Sequence, residues 1–140
     1  MKPDDLAALP DGMNAEEVEP YFRELLQLAR SPDSTDSLAI ARAFWQLADR
    51  QWHAYEPLAR ELQEQVDDWV VRNWDSSSRE FVETIVGVIA RLALPRAWDT
   101  LKASVQTDLS DDVRAEIEAA IAELERGDPG DPWSGMRMKD

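Results

Sequence analysis

Apolar residues recur three and four positions apart in six stretches of this chain, which is the spacing that places them on one face of an α-helix. Before the first stretch, Asn14 and Glu17 have the spacing of a capping box. Pro20 disturbs a helix interior, so a later start of the first helix, with Pro20 in its first turn, stays open. Asp36 has the position of an N-cap before the second stretch. The pattern predicts helices and no strands.

The third and fourth helices are bounded by Pro and Ser. Because Pro is well accommodated at a first helical position, the third helix is predicted to begin near Glu56-Pro57 and to end at about Asn73. Ser77 with Glu80 is a second capping-box spacing and predicts a fourth helix over residues 79–93. This helix is apolar around most of its circumference, so we expect it to be central, with neighbours on more than one side.

Leu94-Pro95 interrupts the helical pattern and predicts a fifth helix, and Ser110 and Gly127 bound a sixth. After Gly127 the sequence is rich in Gly and Pro and has no period, and Trp133 is its only aromatic residue and its one large anchor. The predicted organisation is a flexible leader (1–13), a single helical-repeat domain (14–127) and a disordered or loosely docked tail (128–140).

Two of the helical stretches repeat each other with an offset of 35 residues, from position 78 to position 113. Self-similarity at such a period is typical of stacked helical repeats, in which each unit buries its apolar face against its neighbours. Proteins of this kind present a surface more often than a reaction centre. The matching positions are Ser78-Arg79, Val82, Ile85, Val86 and Ile89 in the first copy and Val113-Arg114, Ile117, Ala120, Ile121 and Leu124 in the second.

The formal net charge of −14 narrows the possible partners. A charge of this sign repels phosphate backbones, so nucleic acid is excluded as a partner, whereas a basic protein would be attracted. The alternative is that the acids only keep the protein soluble or reflect its source organism. The longest apolar run, residues 81–94, is too short for a membrane span and contains Glu83 and Arg91. The first residues lack the apolar core of a secretory signal, so a soluble, cytoplasmic protein without membrane contact is expected.

Few residues could support catalysis. The absence of Cys excludes disulfides, thiolate metal sites and a Cys nucleophile. His53 is the only histidine; Glu56 is nearby, but no nucleophile is tied to the pair by spacing. We interpret His53 as a ring that packs on Trp52 or bonds a helix end. The sequence therefore predicts no catalytic, cofactor-binding or metal-binding residue, no cofactor and no enzymatic activity.

The segment from Ala93 to Leu101, followed by Asp108 and Val113-Arg114, resembles HEAT-type repeats of the short variety found in phycobilisome lyase-like proteins. The resemblance implies an all-α fold of about six helices in three antiparallel pairs, a short α-α superhelix; an irregular helical bundle is the alternative. In that family an Asp accepts bonds within the loop and an Arg reaches an acid of the adjacent unit, which implies these roles for Asp108 and Arg114. Asn73 replaces the Asp in the preceding copy.

A second stretch, residues 51–63, is similar to a segment of small bacterial HEAT-like proteins, several of which are grouped with immunity proteins of toxin systems. Together with the charge, this likeness implies a non-enzymatic protein–protein interaction module, an acidic immunity or inhibitor-type protein that masks a basic partner. A structural or scaffolding protein that self-associates is the alternative, so a monomer and a homodimer both remain open.

The residues expected to bind a partner lie on the polar stripes of the second and fourth helices, which would line the concave side of a solenoid. Gly87 costs helix stability and suggests the close approach of another backbone. Trp45, Trp69 and Trp98 are predicted to be core residues. The candidate partner-binding residues are Arg42, Gln46, Arg50, Glu80, Glu83, Gly87 and Arg91, with Trp52 and Trp74 as half-exposed anchors at helix ends.

Overall fold

The computed structural model describes residues 9, 12–31, 36–54, 56 and 58–126, and these form an all-α fold with no strand, as predicted. None of the described helices combines the length and apolarity needed to cross a membrane. The predicted tail with Trp133 and most of the predicted leader lie outside the described residues. The six helices are α1 (Ala15–Arg30), α2 (Ser37–His53), α3 (Arg60–Asn73), α4 (Arg79–Leu92), α5 (Pro95–Ser104) and α6 (Asp111–Arg126).

The predicted capping box at the start of α1 is present. The Asn14 side chain accepts from the Glu17 N–H at 2.9 Å, and the Glu17 carboxylate accepts from the Asn14 N–H at 3.3 Å. Helix α1 therefore begins at Ala15, and the alternative start at Pro20 is wrong. The cap satisfies two N–H groups at the helix end, which offsets the interior bond that Pro20 cannot make. Asp36 caps α2 as predicted, since its carboxylate accepts from the Ala39 N–H.

Helix α3 begins at Arg60, later than the predicted start near residues 56–57. Two contacts hold the preceding connection away from a helical path. The Leu58 side chain is buried in the core, and the Gln51 side-chain amide donates to the carbonyl of Glu56 at 2.7 Å. Tertiary contacts therefore override the local preference of Pro for a helix start.

The N-cap of α4 is Ser78, so the predicted capping box of Ser77 and Glu80 is wrong. The Ser78 hydroxyl accepts from the Phe81 N–H at 3.2 Å. Ser77 instead uses its own N–H and hydroxyl to bond the carboxylate of Asp75. The turn formed by Asp75 shifts the cap by one residue.

Helix α4 ends at Leu92, and Ala93 follows in the left-handed conformation (φ 56°, ψ 66°). A non-glycine residue rarely adopts this conformation. The Gln63 side chain of α3 donates to the carbonyls of Leu92 at 3.0 Å and Ala93 at 2.7 Å. These bonds satisfy carbonyls that the helix end leaves without partners, and they tie α3 to α4.

The helices form two layers. Helices α1, α3 and α5 contact one another in succession in one layer, which we call the odd layer, and α2, α4 and α6 do so in the other, the even layer. Helix α4 contacts α2, α5 and α6, which confirms its predicted central position. Phe22, Phe44 and Phe81 are the largest fully buried side chains between the layers, and Trp69 and Trp98 are buried as predicted.

Met13 and Leu9 belong to the predicted leader but pack against the core, Met13 buried and Leu9 partly so. Arg114 donates to the carbonyls of Val105 at 2.9 Å and Thr107 at 3.0 Å, so it does not reach an acid of the adjacent unit as the HEAT resemblance implies. These carbonyls lie just beyond the last turn of α5, where backbone carbonyls lack helical partners, and Arg114 supplies the missing donors. In the other copy, Arg79 pairs with Glu83 inside α4.

Candidate partner-binding groove

A groove runs between α2 and α4 on the even layer, and it contains a surface cavity of about 280 Å³. Three of the predicted partner-binding residues, Arg42, Gln46 and Glu83, line this cavity together. Trp45 and Thr84 complete the lining. The structure therefore brings part of the predicted stripe into one site and adds two residues to it.

The base of the groove is formed where Trp45 packs against Gly87. A Cβ atom on Gly87 would lie 2.5 Å from the indole Nε1 and 2.7 Å from Cδ1 of Trp45. Gly87 thus admits an aromatic side chain, and the predicted approach of another backbone is wrong. Trp45 is only partly buried, so its predicted place in the core is wrong as well. Because α4 has no side chain at position 87, the indole rests on its backbone beside the cavity.

Arg91 also contacts the indole of Trp45. Its guanidinium carbon lies 5.2 Å from the centroid of the Trp45 ring, within the range of a cation–π contact. The same guanidinium donates to the Asp49 carboxylate at 3.3 Å and to the Gly87 carbonyl at 3.3 Å. These contacts make Arg91 a support of the groove wall, and its predicted contact with a partner stays a prediction.

Arg50 is also a support and not an exposed contact, since only 3% of the residue is accessible. Its guanidinium donates to both the carbonyl and the side-chain oxygen of Gln46, at 3.0 and 2.8 Å. It also donates to the carbonyl of Leu9 at 2.7 Å. Leu9 thus lies at the end of the predicted stripe, where Arg50 is buried.

Two exposed ion pairs flank the cavity. Arg42 on α2 pairs with Glu80 on α4, and Arg79 pairs with Glu83 at 3.0 Å along α4. More than half of the Arg42 and Glu80 side chains is accessible. Exposed pairs of this kind contribute little to stability. A partner could therefore exchange contacts with these charges at low cost.

Trp52 and Trp74 do not line the cavity. The Trp52 ring lies edge-on to His53, with centroids 5.1 Å apart. Trp74 packs against Phe81 with centroids 6.4 Å apart and is partly buried against the core. Both indoles are half-buried at helix ends, and their role as anchors stays a prediction.

His53 donates through Nδ1 to the carbonyl of Asp49 at 2.7 Å, in the last turn of α2. Both parts of its sequence interpretation are confirmed, because the ring contacts Trp52 and bonds a helix end. Within the described ranges, no group of three or more His, Asp or Glu side chains is arranged to hold a metal ion.

The acidic charge is unevenly distributed between the helices. In α1 to α5, carboxylates such as Glu61, Asp68 and Asp99 form ion pairs with neighbouring bases. On α6 and the loop before it, the described carboxylates form no ion pair with a described base, because Arg114 is occupied by backbone carbonyls. This group, which we call the α6 acidic surface, consists of Asp108, Asp111, Asp112, Glu116, Glu118, Glu123 and Glu125.

Comparisons of the chain with protein-family models, curated proteins and solved structures found no match. The geometry of the groove and of the α6 acidic surface is therefore the basis on which a function is proposed.

Proposed function

We propose that this chain is a non-enzymatic protein-binding module for a basic partner, in the manner of an acidic immunity or inhibitor-type protein. The observation that carries the proposal is the α6 acidic surface. Its carboxylates are largely exposed and have no described base to neutralise them, so the field near α6 attracts positive charge. Electrostatic complementarity of this type accelerates association and selects the sign of the partner.

The two-layer arrangement of helices supports the same proposal. Successive helices of one layer form a broad face, and HEAT-like repeats, to which we assign this chain as part of the proposal, use such a face to bind proteins. The even layer carries both the groove between α2 and α4 and the α6 acidic surface. A partner that spans this layer contacts a mixed polar groove at one side and, at the other, carboxylates that pair with no described base.

The test is affinity capture of the proteins encoded by the genes that flank this one, carried out over a series of salt concentrations. Retention of a basic flanking protein should weaken steeply with salt, because counterions screen exposed charges. Neutralising α6 with Glu116→Gln, Glu118→Gln and Glu123→Gln should weaken binding by roughly tenfold or more.

The matched control is Glu24→Gln, Glu61→Gln and Glu64→Gln on the odd layer, which changes the net charge by the same amount. Binding by the control should stay close to that of the unaltered chain. Retention that ignores salt, equal losses in both triple variants, or no flanking protein bound would each overturn the proposal. Sedimentation of the chain alone tests the scaffolding alternative, which requires a stable homodimer.

A further inference from the structure

The α2 wall of the groove presents hydrogen-bond donors. The side-chain oxygen of Gln46 accepts from Arg50, so the opposite end of this amide, its NH2 group, is left to donate. That nitrogen bonds no acceptor among the described residues. The indole nitrogen of Trp45 lies against Gly87 of α4 and is not one of these donors. Arg42 uses one nitrogen of its guanidinium on Glu80 and keeps further N–H groups for a ligand.

The same helix stripe already binds a main-chain carbonyl inside the molecule. Arg50, one helical turn beyond Gln46, donates to the carbonyl of Leu9 at 2.7 Å. Gln46 and Arg42 continue this stripe toward the start of α2, and both line the cavity. A peptide carbonyl is thus a ligand that this stripe is built to hold.

The α4 wall presents acceptors. One carboxylate oxygen of Glu83 accepts from Arg79, and the other bonds no described residue. The Thr84 hydroxyl donates to the Glu80 carbonyl, which leaves its oxygen lone pairs to accept. The two walls therefore differ in hydrogen-bonding character, with donors on α2 and acceptors on α4.

A trans peptide group directs its C=O and its N–H to opposite sides, which matches these two walls. We propose that an extended segment of the basic partner lies in the groove, with a main-chain carbonyl bonded by Gln46 and Arg42 and the N–H of that peptide group bonded by Glu83 or Thr84. This inference rests on the proposed function and names how the groove contributes to it. A carboxylate would be repelled by Glu83, and a bare cation would leave the donors of α2 without acceptors.

The test uses N-acetyl-lysine N-methylamide as a probe of one basic residue flanked by two peptide groups. The full-length protein is titrated while the indole N–H resonances of its six Trp are followed by NMR. The Trp45 resonance is assigned by its loss in Trp45→Phe. We expect this resonance to shift saturably with the probe while the other indoles stay in place. Gln46→Met, which removes the donor without changing the net charge, should weaken binding roughly fivefold or more.

The matched control is Gln27→Met, the same change at an exposed position of α1 that makes no hydrogen bond to a described residue. It should leave the affinity unchanged. A second comparison replaces the N-methylamide of the probe by a methyl ester, which removes one N–H at constant charge and should weaken binding.

Several results would overturn the inference. These are an equal shift of the Trp45 resonance by n-butylammonium, which has a cation but no peptide group, and equal losses in Gln46→Met and Gln27→Met. A shift on concentrating the protein without a probe would show instead that a second copy occupies the groove. If the probe fails while a flanking basic protein still binds in a salt-dependent way, the inference fails and the proposed function stands.

Discussion

Two helix contacts, α3 with α5 and α2 with α4, differ in whether their polar groups are satisfied within the molecule. Both join helices that are successive within a layer. Between α3 and α5, the Asp67 carboxylate is buried and accepts from the N–H groups of Arg96 at 3.0 Å and Ala97 at 2.7 Å. Between α2 and α4, the amide of Gln46 keeps a donor without a described acceptor.

The difference separates a contact closed by internal hydrogen bonds from one that keeps polar groups for the proposed partner. Asp67 supplies a cap to α5 from another helix, which satisfies N–H groups that Leu94 cannot cap and closes that contact to further ligands. The α2–α4 groove keeps polar groups that no described residue satisfies. We therefore expect substitutions at the first contact to change stability and substitutions at the second to change binding.

The largest expected effect tests the structural side of this comparison. Asp67→Ala removes a buried acceptor and leaves two N–H groups at the start of α5 unsatisfied, so the free energy of unfolding should fall by about 2–4 kcal/mol. Denaturant unfolding measures it. Asp68→Ala is the control, because Asp68 is partly exposed and forms surface ion pairs with Arg72 and Arg96. It should cost under about 1 kcal/mol; similar losses in both variants would contradict the assignment.

The cap that Asp67 supplies to α5 could not be predicted from the sequence, whereas the six helices could. Helix periodicity and caps at Asn14, Asp36 and Ser110 predicted six helices, because these signals are local in the sequence. Asp67 accepts from groups about 30 positions away, and no local pattern distinguishes it from Asp68. The start of α3 was predicted too early for the same reason, because the burial of Leu58 is a tertiary effect.

The groove was predicted in part. The polar stripes of the second and fourth helices identified Arg42, Gln46 and Glu83, which line the cavity. Trp45 was assigned to the core because its spacing fits the apolar face of α2. The signal that could have placed it correctly was Gly87, a glycine inside a helix, since this glycine makes room for a large neighbour. The burial of Arg50 depends on Leu9 and could not be deduced from the helix alone.

A smaller effect is expected at Gly87, and its sign depends on Trp45. In the unaltered chain, Gly87→Ala places a Cβ against the indole and should lower the free energy of unfolding by about 1 kcal/mol, as overpacking exceeds the gain in helix propensity. In a Trp45→Ala background the clash is absent, so the same substitution should raise stability by about 1 kcal/mol. Thermal or denaturant unfolding of the four proteins gives both values. The same sign in both backgrounds would show that the indole does not rest on Gly87.

The smallest effect concerns the ion pair of Arg42 and Glu80 across the mouth of the groove. A double-mutant cycle with Arg42→Ala and Glu80→Ala should give a coupling energy below about 0.5 kcal/mol, because both side chains are largely exposed and solvent screens them. The matched cycle with Arg91→Ala and Asp49→Ala should give a larger coupling, since both side chains are less accessible and Arg91 also stacks on Trp45. A coupling energy for Arg42 and Glu80 that equals or exceeds that for Arg91 and Asp49 would mean that the Arg42–Glu80 pair helps to hold α2 and α4 together. The groove would then be a second structural contact, and its contrast with α3 and α5 would be lost.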